Sequence, residues 1–412
     1  MGIALRSTNL SPVAELAASR PMRDCLQFFS RERQWMTEQH LKLCRVPAPT
    51  FLEQKRAEYM VERFRSVGCE ARIDRAGNVV AQAAPNPQGP YLAVTAHLDT
   101  VLAPRIPEEI TLGSDGTLRG PGVADNGAGL VALLALSRVI REAPDFQAGG
   151  SLLFVANVGE EGEGNLSGMR YLCKQSPFAP KIQTFLVLDG PTTDHITCQA
   201  LASRRYEITI SGPGGHSWSD FGTASPVHAL SRAVAGFADR CVIDPFQRPR
   251  TSYNFGVLEG GSSVNSIPTL ARAKVDIRSE SSRRIESLAE LLAVVLEDAV
   301  RRENDRATSG RVSAKLREIG SRPGGELGGD APLLRHLRAV DAHFGIRSHL
   351  DCASTDANIP LSLGIPAVSI GVGGQGGGAH TPSEWFHPEG RELGLKRILL
   401  TLGLLLQDLS AK

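Results

Sequence analysis

Residues 151–165, SLLFVANVGEEGEGN, set an unbroken apolar run directly against three glutamates spaced by glycines. A short apolar run of this kind, closed by glycine, predicts a buried strand covered on both faces. Glu160, Glu161 and Glu163 follow at once. Crowded carboxylates repel one another and are costly to take out of water unless something positive pairs with them. A solvated acidic loop would satisfy the same residues, so the stretch alone leaves both readings open.

The flanking sequence extends the pattern. Upstream, the first 75 or so residues carry periodic apolar positions, in CLQFFSRERQWMTEQHLKLC and FLEQKRAEYMVERFRSVG, that predict helices. ARIDRAGNVVAQA is strand-like, PNPQG is a turn, and YLAVTAHLDTV is a second apolar strand. The glycine-rich GSDGTLRGPGVADNGAG reads as a loop that opens onto the helix LVALLALSRVIREA. Downstream come the helix SGMRYLCKQ and the strand TFLVLDG. Strands alternating with helices predict an α/β sheet. From residue 199 the pattern changes to strand, helix, two strands, helix, strand, the order of a ferredoxin-like module. A helix (PLLRHLRAVDAHFG), a short strand (IPAVSIGVG) and a last helix (LGLKRILLTLGLLLQDL) then return to the first pattern. The expected organisation is an α/β domain over 1–198 and 322–412, interrupted by a smaller α+β module over 199–321.

Composition limits the function classes. The 412 residues suit two domains. Hydrophobic residues make up 42%, charged residues 22%, and the formal net charge is +1 with no run of lysine or arginine. That argues against a nucleic-acid footprint or a membrane-surface patch. No apolar segment reaches the roughly 20 residues that span a bilayer. The first residues lack the apolar core of a signal peptide, so the expected location is the cytoplasm. Seven cysteines without C-x-x-C spacing are expected as free, mostly buried thiols.

Several polar residues stand at strand ends. His97 and Asp99, two apart, share a side of the chain, and a histidine ligand commonly needs its second nitrogen fixed by a carboxylate. His97 taken alone equally suits a satisfied core histidine. Asp125 precedes a helix and equally suits an N-cap. Asp189 equally suits an Asp-Gly turn. His380 follows five glycines between 373 and 378 and says little by itself. Together these residues and Glu160 and Glu161 fall where open α/β sheets bind ligands, beyond the carboxyl ends of the strands. Two histidines with several carboxylates are a zinc ligand set, with manganese or cobalt as alternatives. Divalent cations would keep the glutamate cluster ionised. Adjacent glutamates in irregular backbone point different ways, so Glu161 suits a metal and Glu160 a general base. Glu163 is assigned to solvent.

In order along the chain, HLD, ADNGAG, GEEG, LDG, GGHS and AHTPSEW resemble the motif set of the M20 family of co-catalytic metallopeptidases, from about His97 to His387. The resemblance implies a zinc-peptidase-like α/β catalytic domain with helices around a central sheet, interrupted by a ferredoxin-like lid and dimerisation domain. It implies two divalent metal ions, with His97 and Asp189 on one, Glu161 and His380 on the other, and Asp125 bridging. It implies Glu160 as general base, Asp99 as the residue orienting His97, and His216 of the lid as the oxyanion donor, often reaching a partner subunit's site. Asn265 and Arg278 match positions that hold substrate, and Asp356 and Glu384 match supporting positions. Aspartate at 189 is similar to the peptidase T-like branch. The implied activity is amide hydrolysis in small peptides by a di- or tripeptide aminopeptidase, with an N-acyl-amino-acid deacylase or carboxypeptidase as the alternative. A homodimer through the lid is the implied assembly.

Overall fold

A computed structural model describes residues 11–83, 89–143, 151–244 and 246–410. The stretch 1–10 and most of the expected PNPQG turn lie outside the described residues. The chain divides into two compact units, Met1–Gln199 with Glu326–Lys412, and Ala200–Gly325.

The first unit is α/β. Its main sheet has nine strands among the described residues. The central run is Ser151–Asn157, Tyr91–His97, Ile182–Leu188 and Ala367–Ile370, all parallel. Every residue of Tyr91–His97 is buried, as expected of a parallel strand covered on both faces. The helices Gly127–Glu142 and Arg391–Ser410 pack on that strand. Leu395, Ile398, Leu399 and Leu402 of the latter are fully buried and follow helical spacing. ARIDRAGNVVAQA is two strands rather than one: Glu70–Ile73 and Val79–Gln82 pair as an antiparallel hairpin, turning at Gly77 with φ +99°.

The second unit has a four-stranded antiparallel sheet in the spatial order Thr251–Gly260, Leu270–Ser279, Ala202–Ser211, Ser313–Arg322. Strand order and the two helices Pro226–Arg240 and Ser282–Arg306 give the ferredoxin-like arrangement. Alternate residues of Leu270–Ser279 are buried, from Ala271 to Ser279, the period of a half-buried strand. Facing them, Ile285, Leu288, Leu292, Val295, Leu296 and Ala299 form one stripe of the long helix. Ser281 caps that helix by accepting from the Arg284 amide at 3.3 Å.

Some short elements escape the sequence reading. The loop GSDGTLRG contributes Leu118–Arg119, which pairs with Trp385–His387 in a small separate sheet. The strands His195–Ala200 and His349–Ala353 lie toward one edge of the main sheet. They are short and mix polar with apolar residues, so periodicity does not mark them. Among the described residues no helix is long and apolar enough to cross a membrane. All seven cysteines are free; six are buried and Cys352 is half-buried.

Candidate metal centre

Parallel pairing sets four carboxyl ends on one edge of the sheet. His97 pairs with Asn157, and Leu188 with Ile370. His97 thus ends its own strand, Asp189 follows Leu188, and Glu160 and Glu161 follow Asn157 by a few residues. Asp125 arrives from the loop before the helix Gly127–Glu142. The alternative N-cap reading of Asp125 does not hold. Asn126 is the cap, its side-chain oxygen accepting from the Gly129 amide at 3.1 Å while its side-chain nitrogen donates to the Leu188 carbonyl at 2.8 Å. Asn126 ties the helix start to the strand end that carries Asp189, and Asp125 is left available.

His380 comes in on the glycine loop. A side chain at Gly376 would meet Pro191 at 2.8 Å and Ala124 at 3.1 Å, so only glycine permits this close approach. Asp125 then stands between the two histidines. Its Oδ1 lies 3.0 Å from His97 Nε2 and its Oδ2 lies 3.1 Å from His380 Nε2. Asp189 Oδ1 is 3.8 Å from His97 Nε2, and Glu161 Oε1 is 2.9 Å from His380 Nε2. The donors therefore sort into a His97–Asp189 group and a His380–Glu161 group, with one oxygen of Asp125 toward each. His97, Asp125 and Glu161 offer ligand atoms within 4.8 Å of one another.

The electrostatics show what is needed there. Among the described residues, His97 and His380 are the cationic partners recorded for Asp125, Glu161 and Asp189. Burial works against the charged form of His97, yet the carboxylates of Asp125, Asp189 and Asp99 outweigh it and hold its pKa well above the ordinary value. The hydrogen bond to Asp125 raises His380 to about 9. Burial raises the Glu161 carboxyl. In Asp125 the histidine contacts overcome burial and lower the carboxyl. The donor set fits divalent cations: three carboxylates and two imidazoles converge, and among the described residues protons on the two imidazoles are the positive charge in direct contact with Asp125, Asp189 and Glu161.

The metal-free protein should reflect this. His380 has a folded-state pKa near 9 against an ordinary 6.5. Its contribution to stability is fully present below the lower value and fades as pH rises through the upper one. His97, also raised, adds in the same direction. Chelator-stripped protein should lose thermal stability from pH 6.5 to 9, and zinc should abolish the slope. A flat melting temperature across that window in the stripped protein would contradict the charge pairing.

Asp99 differs from its expected role in detail. The carbonyl of Asp99, rather than its carboxylate, meets His97 Nδ1, at 2.9 Å; the carboxylate stands 3.6 Å away. The strand ends at His97, so the chain turns and aims the main chain at the ring. The carboxylate accepts instead from the amides of Glu160 and Glu161, at 3.0 and 2.9 Å, and from the Thr50 hydroxyl at 2.9 Å. Asp99 thus fixes both the histidine and the paired glutamates. Glu160 is buried and Glu163 is exposed.

Supporting contacts extend outward. Glu384 accepts from the amides of Gly122, Ala124 and Asp125 at 2.7, 2.7 and 2.8 Å, which fixes the loop bearing Asp125. Asp356 is fully buried and accepts from the Asn157 side chain at 2.6 Å; burial raises its carboxyl to about 7.

In the second unit, His216 lies on a two-stranded ribbon, paired with Ser266, and the next amide, Ser217, donates to the Asn265 carbonyl. His216 Nδ1 accepts from the amides of Trp218 and Ser219 at 3.2 and 3.3 Å. The proton therefore sits on Nε2, which is presented as a donor. Arg278 is not beside them. It lies eight residues along its strand from Leu270, on the order of 25 Å at the usual rise, and donates to Asp276 at 2.6 Å. One copy of this unit does not place Asn265 and Arg278 on the same small ligand.

Two imidazoles and three carboxylates thus gather beyond the carboxyl ends of the parallel strands, from strand ends and from two loops, as a donor set suited to divalent metal. The chain belongs to peptidase family M20/M25/M40, whose description matches residues 93–402, and it is an enzyme of the metallopeptidase class. A probable carboxypeptidase of Aspergillus clavatus is 27% identical over 58% of this chain and 61% of that protein. The chain spans about half the length of several other curated relatives. A tripeptidase of Staphylococcus aureus has a similar structure, with a TM-score of 0.71 at 20% identity over 92% of this chain and 99% of that one. A dinuclear metal-binding peptidase of Bacillus subtilis superposes with a TM-score of 0.66 at 15% identity, over 92% and 99%.

Proposed function

We propose that this chain is a dinuclear-metal-dependent hydrolase that cleaves an amide bond in small peptides, as a di- or tripeptide aminopeptidase. The observation that carries this reading is the position of Asp125, with one carboxylate oxygen toward His97 and the other toward His380. His97 and Asp189 would hold one metal, Glu161 and His380 the second, and Asp125 both. Zinc is the expected ion, since imidazole and carboxylate donors suit it, with manganese or cobalt as alternatives.

When bound, the two ions would supply a nucleophilic water near neutral pH and polarise the scissile carbonyl. Glu160 takes the proton of the attacking water and returns it to the leaving amine. Asp99 holds the Glu160 amide and so fixes where that carboxylate starts. His216 donates from Nε2 to the developing oxyanion, its tautomer set by the Trp218 and Ser219 amides. Asn265 and Arg278 hold the substrate's carboxylate or backbone. The resemblance implies a homodimer through the lid, and the separation of Asn265 and Arg278 along one lid suits such an assembly. Free thiols throughout suit the cytoplasm.

The second reading, a carboxypeptidase or N-acyl-amino-acid deacylase, is favoured by the likeness to a probable carboxypeptidase. Aspartate at 189 favours the aminopeptidase. The two separate on a substrate panel with zinc-reconstituted protein. Free-amine di- and tripeptides should be cleaved at least tenfold faster than the matching N-acyl amino acids and N-blocked peptides. The reverse order would give the second reading, and no turnover of either would overturn both.

A further inference from the structure

The loop 122–125 that carries Asp125 is gripped from two sides. On one side Glu384 takes the amides of Gly122, Ala124 and Asp125. The other side belongs to the helix Arg33–Cys44, remote in sequence and outside every motif. His40 Nε2 lies 2.7 Å from the Val123 carbonyl, and Cys44 Sγ lies 3.6 Å from the Gly122 carbonyl. A carbonyl only accepts, so Nε2 carries the proton and Nδ1 is bare; Nδ1 is buried and meets no hydrogen-bond partner. Both residues are fully buried. A side chain at Gly127 would meet Cys44 Sγ at 2.4 Å and His40 Nε2 at 3.1 Å, so the two reach the very start of the helix behind Asp125. Phe386, two residues past Glu384, packs on the His40 ring with centroids 4.8 Å apart. The two grips are therefore one packed assembly.

Neither residue changes charge near neutrality. Burial pushes His40 down to about 3 and Cys44 up to about 12. His40 is thus a fixed neutral donor. A carboxylate shared by two cations tolerates little displacement, because moving it lengthens contacts on both sides at once. His40 and Cys44 touch the main chain two and three residues before Asp125 and act on it through the loop; groups that hold the surroundings of a metal ligand in this way tune metal affinity.

We propose that His40, assisted by Cys44, is a positioning residue for the metal centre: by holding the Val123 and Gly122 carbonyls it fixes the loop that aims Asp125 at both ions. This rests on reading Asp125 as a ligand. The test uses full-length protein stripped of metal and titrated with zinc(II) against a chromophoric chelator, below the melting temperature of each variant. H40F keeps the ring against Phe386 and removes the donor; it should bind zinc about 10- to 100-fold more weakly. H40Q, whose amide nitrogen reaches the place of Nε2, should recover to within about threefold. C44A, losing the weaker contact, should fall by about threefold. Wild-type affinity in H40F, or equal losses in H40F and H40Q, would overturn the inference, the latter marking a merely structural role. Should H40F not fold, H40N, too short to reach Val123, is judged by the same criterion. Wild-type protein that takes up no zinc overturns the metal reading and this inference with it; uptake by wild type with H40F unaffected overturns the inference alone.

Discussion

The Glu160→Gln variant should retain two metal ions and lose about two to four orders of magnitude in kcat. Glutamine keeps the shape of the side chain and its place after the buried strand, but it accepts no proton at neutral pH. The five donors on His97, Asp125, Glu161, Asp189 and His380 are untouched. The main-chain bond from residue 160 to Asp99 persists as well, since it runs through the amide. Metal content by elemental analysis and kcat on a tripeptide separate the two effects. Wild-type kcat would remove Glu160 from the role of base. Loss of metal together with activity would move Glu160 into the ligand set.

The largest structural effect is expected at Glu384. Its two carboxylate oxygens take three amides, Oε2 that of Gly122 and Oε1 those of Ala124 and Asp125. In Glu384→Gln one oxygen becomes an NH2 group facing an N–H, and a buried donor loses its acceptor. Hydrogen bonds to a charged group are each worth about 1.5–3 kcal/mol, and leaving a partner unmet adds a desolvation cost. A loss on the order of 3 kcal/mol is expected for the catalytic unit, or roughly 5 °C or more in Tm. Zinc affinity should fall too, because one of the freed amides is that of Asp125 itself. A Tm within a degree of wild type, with unchanged zinc affinity, would show that the cradle is dispensable.

The donors were legible in the sequence for a specific reason. Each stands where an apolar run stops or where glycines crowd, and polar residues at such places are conspicuous. The ferredoxin-like insert was legible because its strands alternate and its long helix carries one apolar stripe. What surrounds the donors was not legible. Asn126 and Asp125 compete for the same capping position in the sequence, and only the approach of Leu188 decides between them. The orienting atom of Asp99 is a carbonyl, which every residue possesses. His40 and Cys44 sit in a helix whose pattern gives them no distinction. The distance between Arg278 and Asn265 depends on strand register, which composition does not encode. The short pairing of Leu118–Arg119 with Trp385–His387 needs partners remote along the chain, and local periodicity is blind to it.

The late strand Ala367–Ile370 lies between Ile182–Leu188 and His195–Ala200, both made long before it. While the chain is being synthesised, the sheet must therefore wait with a slot open through the production of the whole insert. Pairings between such remote segments are slow to form. A nascent chain that has not yet reached His380 holds an incomplete set of donors, so the centre cannot be complete before that residue is made.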